Sequence, residues 1–307
     1  MSLNQIKKRI DSTRKTAQIT KAMQMVSASK YNKMVQTSSR YFTYGQKLKK
    51  MVARLGKQQF DLLDDGVPMD VNEVKDIDFH DMLIERPIKK TGYLIITSDK
   101  GLAGGYNHSI LKATETMFKQ DHQDKSEVVV LAIGEPIAKF CRDEGYEVAY
   151  EIHNLTDHPS FFEVSKIVKK AVELFKEQVF DALYVCYNHH LNPMTSQFRA
   201  EQILPITDLE LEEELENTET EVEFLIEPSE TELLDVLLPQ YAESQIYGAI
   251  IDAKTSEHAS RMSAMRSATD NAEEMIENLK QQYNQKRQLK VTNEIIEIIS
   301  GAQALND

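Results

Sequence analysis

Apolar and small side chains between residues 27 and 55 recur at alternating steps of four and three: Ser27, Tyr31, Met34, Ser38, Tyr41, Gly45, Leu48, Val52 and Leu55. That 3.5-residue period is the seam of a coiled coil. The same stepping returns near the other end in Met262, Met265, Thr269, Ala272, Ile276, Leu279, Tyr283 and Lys286. The pattern predicts two long helices, over residues 1–57 and 229–307, with Pro239 kinking or fraying the front of the second because it lacks a backbone donor. No third long helix is available to complete a bundle. The two seams are therefore expected to pair with each other as an antiparallel coil, with small residues letting the partner approach closely. At 1.5 Å per residue the helices would measure about 80 and about 105 Å, so the second overhangs by about 20 Å. Near its end Ile295, Ile296, Ile298 and Ile299 span an arc of about 160°, wider than a two-helix seam, and call for an apolar sleeve.

Between the helices the pattern changes to short apolar runs. GYLIIT (Gly92 to Thr97), EVVVLAIG (Glu127 to Gly134), YEVAYEI (Tyr146 to Ile152) and DALYVCYN (Asp181 to Asn188) read as strands. Helical stretches separate them, one capped at Ser160 or its neighbour. Strand–helix alternation predicts a parallel sheet, and a turn at Asn192-Pro193 sends one further strand back antiparallel. The fold class is thus α+β: a long antiparallel coiled coil plus a Rossmann-like α/β domain at 91–207, with an irregular connector at 58–90 and an acidic segment at 208–228.

Charge sharpens this picture. The chain has 307 residues and net charge −13. Residues 1–57 carry fourteen Lys and Arg against the single acid Asp11, a net +13 that leaves −26 for the rest. A basic arm of this kind suits nucleic acid or an acidic protein partner, and the acidic remainder of the chain favours protein. No run of 18 apolar residues could span a bilayer. The amino terminus has no apolar signal core, and no organelle transit peptide is evident. Cys141 and Cys186 fall in a predicted helix and strand, as buried thiols of a reducing compartment would.

Candidate chemistry is sparse. The turn Ser98-Asp99-Lys100-Gly101-Leu102-Ala103-Gly104-Gly105-Tyr106-Asn107 sits where α/β enzymes hold phosphate. It matches neither G-x-G-x-x-G nor a P-loop, and reads as a tight turn needing positive φ. His153, His158, His189 and His190 are too sparse for a metal site, and no catalytic constellation or cofactor motif emerges. Two further function classes stay open on these residues: an α/β nucleotide-binding enzyme dimerised by helical arms, and a basic nucleic-acid adaptor.

Three stretches carry a resemblance: KTAQITKAMQMVSASKYNK (Lys15 to Lys33), ITSDKGLAGGYN (Ile96 to Asn107) and RMSAMRSATDNAEEMIENLKQQYNQKRQLKVTNEIIEIISGA (Arg261 to Ala302). They are similar to the gamma subunit of the F-type ATP synthase, bacterial type, over essentially the whole chain. The resemblance implies a non-catalytic rotor shaft without cofactor, peripheral on the cytoplasmic face of the cell membrane. Its partners would be the alpha and beta subunits, the epsilon subunit and the membrane c-ring, with no nucleic acid and no small-molecule substrate. It implies that Met23 faces a beta-subunit lever and that Arg287, Gln288 and Thr292 meet a beta-subunit loop. Phe224 and Glu227 would face the c-ring and epsilon. Lys30 and Lys33 are expected to face acidic surfaces in that assembly.

Overall fold

The computed structural model describes residues 1–64, 81–83, 85–157, 159–206 and 230–304. Two long helices frame it: α1 (Leu3–Asp64) and α5 (Glu230–Ala304). Between them lie β1 (Thr91–Ile96), α2 (Tyr106–Asp121), β2 (Val128–Ile133), α3 (Glu135–Glu144), β3 (Glu147–Ile152), α4 (Phe161–Lys176), β4 (Ala182–Asn192) and β5 (Thr195–Leu204).

α1 and α5 pair antiparallel. Ile6 and Ile10 pack with Ile276 and Leu279 at one end. The hydroxyls of Thr20 and Thr269 meet at 2.7 Å further along. Gly45 lies against Ser244, whose Oγ would stand 3.1 Å from any added Cβ. The seam residues Ser27, Met34, Leu48 and Val52 are buried, and Tyr31, Ser38, Tyr41 and Gly45 are half-buried. The seam also extends below residue 27 in the same register, through Ile6, Ile10, Ala17 and Thr20, all buried. Its small residues bring the two backbones close and leave little apolar area to bury.

One expected helix boundary differs. α1 continues through Gly56 to Asp64, seven residues into the expected connector. A mid-helix glycine costs only about 1 kcal/mol relative to alanine, too little to stop a helix with favourable residues on both sides. α5 contains Pro239 within its helical span. The flanking Leu234, Leu238, Tyr241 and Ala242 are buried in the main core, and tertiary packing of that kind outweighs one lost backbone bond.

The sheet has the order β3-β2-β1-β4-β5, with β5 antiparallel and the rest parallel. β4 runs four residues beyond the expected Asn188, and the return at Asn192-Pro193 leads directly into β5. Side chains alternate between faces as a strand requires. Leu94, Ile96, Leu131, Ile133 and Val185 face α4, α5 and the Leu48–Val52 part of α1. Tyr93, Ile95, Val130, Ala132 and Cys186 face α2 and α3. Ser160 caps α4 in a capping box with Glu163. Both cysteines are buried.

Candidate functional site

In an open α/β sheet ligands bind outside the carboxyl ends of the strands where the strand order reverses. Here that point lies between β1 and β4, at their carboxyl ends. The turn after β1 is closed by a reciprocal pair: Ser98 N donates to Asn107 Oδ1 (2.9 Å) and Asn107 Nδ2 donates to Ser98 O (2.8 Å). Asp99 accepts from the backbone of Glu135 (2.8 Å) and Asn154 (2.6 Å), tying the turn to the start of α3 and the end of β3. Leu102 and Gly104 both take positive φ, as a tight turn here demands.

α5 runs along this crevice and is bonded to the turn, beside a cavity of about 250 Å³ lined by Gly104, Gly105, His190, Asn192, Ser256 and Ser260. Arg261 donates to the carbonyls of Lys100 (2.9 Å) and Gly101 (3.2 Å), and the Tyr106 hydroxyl donates to Ala253 O (3.0 Å). Glu257 is buried between Lys254 (3.1 Å) and Arg261 (2.8 Å), the latter an ion-pair contact without hydrogen-bond alignment. Burial alone would raise the Glu257 carboxyl. The two cations outweigh it and hold the group below the usual carboxylate range. Arg261 thus lies against the carbonyl oxygens of this turn and joins it to α5.

Asp157, in the β3–α4 loop, gathers three elements. Lys100 reaches both its oxygens (3.0 and 2.9 Å), Lys30 of α1 reaches Oδ2 (2.6 Å), and His258 of α5 stands 3.8 Å from Oδ1. Burial opposes its ionisation, but the two lysines hold the carboxyl well below the usual range. His258 is 1% exposed, and burial lowers its imidazole to about 4, so it is neutral near pH 7. Its Nδ1 accepts from Arg261 (3.4 Å). Lys30, expected to face an acidic partner surface, is instead engaged inside its own chain; Lys33 is exposed.

The other candidate surface is the carboxyl end of α5. The last contacts with α1 come from Tyr283, packed by Ile6, and Lys286, which donates to Met1 O at 2.6 Å. From Arg287 to Ala304 the helix runs on without α1, about 27 Å against the expected 20 Å. Arg287, Gln288 and Thr292 are exposed there, and the Thr292 hydroxyl donates to Gln288 O (2.9 Å). Ile295, Ile296, Ile298 and Ile299 are each at least half exposed. Leu289 and Val291, not singled out in the sequence, are exposed beside them. Met23 is half-buried on α1, and the exposed Ile19 and Val26 extend it into an i, i+4, i+7 apolar stripe off the seam. That spacing was available in the sequence. Phe224 and Glu227 lie outside the described residues. No helix is long and apolar enough to cross a membrane among the described residues, and no group of three or more metal-ligating side chains occurs among them.

Fold and surfaces together define a stalk protein: a two-helix shaft joined to an α/β body whose crevice is bordered by its own helix. The fold is shared with a chain of the Euglena gracilis mitochondrial ATP synthase (OSCP/F1/c-ring, rotational state 3), at TM-score 0.65 and 18% identity, covering 99% of this chain and 94% of that one. A chain of the Tetrahymena thermophila mitochondrial ATP synthase (central stalk/c-ring) gives 0.55 and 21%, over 81% and 99%. The family model described as ATP synthase matches residues 2–305. The ATP synthase gamma chain of Enterococcus faecalis is 52% identical over 304 residues, and that of Enterococcus hirae 52% over 305, each covering 99% of both chains. The chain belongs to the ATP synthase gamma-chain family.

Proposed function

We propose that this chain is the central rotor shaft of an F-type ATP synthase, coupling ion flow through a membrane c-ring to ATP synthesis and hydrolysis on beta subunits. The observation that carries it is α5 continuing alone beyond Met1 with four exposed isoleucines. Each fully buried isoleucine is worth about 1.5–3 kcal/mol, so a helix with this face is stabilised by an apolar sleeve. A collar of alpha and beta subunits would supply one and still let the tip turn.

On this reading the subunit itself is non-catalytic and holds no cofactor. α1 and α5 form the shaft, and the α/β body from β1 to β5 forms the foot. The foot meets the epsilon subunit and the c-ring, the latter through Phe224 and Glu227. Met23 faces a beta-subunit lever, and Arg287, Gln288 and Thr292 meet a beta-subunit loop. The complex would sit at the cytoplasmic face of the cell membrane, held there through the c-ring.

The test is reconstitution with alpha and beta subunits, followed by ATPase assay and observation of a bead on the foot. Stoichiometric capture and ATP-driven rotation are expected. Failure of purified alpha and beta subunits to retain the chain would overturn the reading.

A further inference from the structure

Lys30 and Tyr31 are neighbours on α1, and they reach the α/β body on two different loops. Lys30 pairs with Asp157 of the β3–α4 loop at 2.6 Å. The Tyr31 hydroxyl meets His190 Nε2 at 3.1 Å, with the rings in an edge contact of 5.3 Å. Both anchors are themselves tied to α5. The His190 backbone donates to Asp252 Oδ1 (3.0 Å), and the adjacent His189 Nδ1 meets Asp252 Oδ2 (2.5 Å). Asp157 lies 3.8 Å from His258.

The surrounding seam specifies register poorly. Thr20, Ser27, Ser38 and Gly45 are small, and side chains of that size bury little apolar surface per turn. In coiled coils a few polar contacts set register where apolar packing would tolerate a slip. We propose that Lys30 and Tyr31 are the register pins of α1: Asp157 and His190 hold them from two sides and fix α1 against axial slip and rotation relative to the body. Resting on the rotor reading, the pins would also keep the two helices turning with the foot as one piece under torque.

The test compares Lys30→Ala, Tyr31→Phe, their combination, the conservative Lys30→Arg and the control Lys100→Ala. Lys100 shares Asp157 but belongs to the body, so its loss spares the link to α1. Hydrogen exchange on the isolated full chain reads the first claim. Exchange over the α1 segment around residues 27–45 should rise about fivefold in Lys30→Ala and Tyr31→Phe, the factor corresponding to about 1 kcal/mol. It should rise further in the combination and stay at wild type in Lys30→Arg and Lys100→Ala. In reconstituted enzyme, coupling ions (protons or sodium, each assayed) pumped per ATP hydrolysed should fall in the combination while hydrolysis persists. Unchanged exchange in Lys30→Ala and Tyr31→Phe would overturn the pins, as would equal acceleration by Lys100→Ala. Raised exchange with an unchanged pumping ratio would overturn the role under torque. If wild-type enzyme itself fails to couple, the rotor reading falls, while the exchange result still decides the pins.

Discussion

Lys286 donates to the backbone oxygen of Met1 across 2.6 Å, and this contact marks where the two-helix shaft becomes a single helix. Arg287 follows at once. At 100° per residue Gln288 and Thr292 lie 100° and 140° from it on the same side, so all three can meet one loop. A hydrogen bond to a charged partner contributes about 1.5–3 kcal/mol and a neutral one about half that, suited to a contact that holds and releases each turn. The triple alanine variant should assemble with wild-type stoichiometry, because the seam lies elsewhere. Its steady-state ATPase rate should fall several-fold, with most of the loss reproduced by replacing Arg287 or Gln288. Wild-type turnover would remove these residues from the mechanism.

Arg261 ties α5 to the turn after β1 and compensates Glu257. Arg261→Leu leaves a buried carboxylate with Lys254 alone and strips donors from the carbonyls of Lys100 and Gly101. Breaking a buried pair in this way costs about 3–5 kcal/mol. Urea unfolding of the isolated chain should show that loss, and adding Glu257→Gln should recover part of it. A change under 1 kcal/mol would mean that the crevice charges are open to water.

Acid should expose His258. Its folded value, lowered by burial to about 4, lies below the ordinary 6.5, so the unfolded chain takes the proton first. The contribution is complete above about pH 6.5 and is lost as pH falls toward 4, by about 3 kcal/mol in all. Asp157, Glu257, Lys254 and Arg261 face the same imidazole. Asp157, held low by Lys30 and Lys100, adds a loss in the same direction only at lower pH. Melting temperature measured from pH 7 to 4 should drop for the wild type and stay flatter for His258→Gln. Parallel curves for the two proteins would refute the assignment.

Gly134 and Gly145 form an internal comparison. Both have positive φ, but a Cβ at Gly134 would stand 2.6 Å from Thr97 Oγ1 and 2.7 Å from Thr97 O, whereas one at Gly145 meets nothing within 4 Å. Gly145→Ala should cost about 1 kcal/mol from backbone strain alone. Gly134→Ala adds overpacking and should cost about 2–4 kcal/mol. Equal denaturation midpoints would show that the Thr97 segment yields freely.

Much of the fold was legible in the chain, because its signals are local. The 3.5-residue steps from Ser27 to Val52 and from Met262 to Tyr283 mark the seam wherever their partners lie. The apolar runs at Gly92 and Glu127 are strands because both of their faces are covered. The overhang could be read from helix lengths, and the exposed isoleucines from their arc. Gly56 misled because local propensity is worth only about 1 kcal/mol there, less than the packing of a long helix contributes. What only the tertiary structure decided is where the charges go. Lys30 carries no sign in its neighbourhood that its partner is Asp157, 127 positions away, rather than another molecule. Arg261 gives no hint that its guanidinium will bond the carbonyls of Lys100 and Gly101. A helical period is repeated many times along the chain and declares itself, whereas an ion pair is a single meeting whose address exists only once the chain has folded.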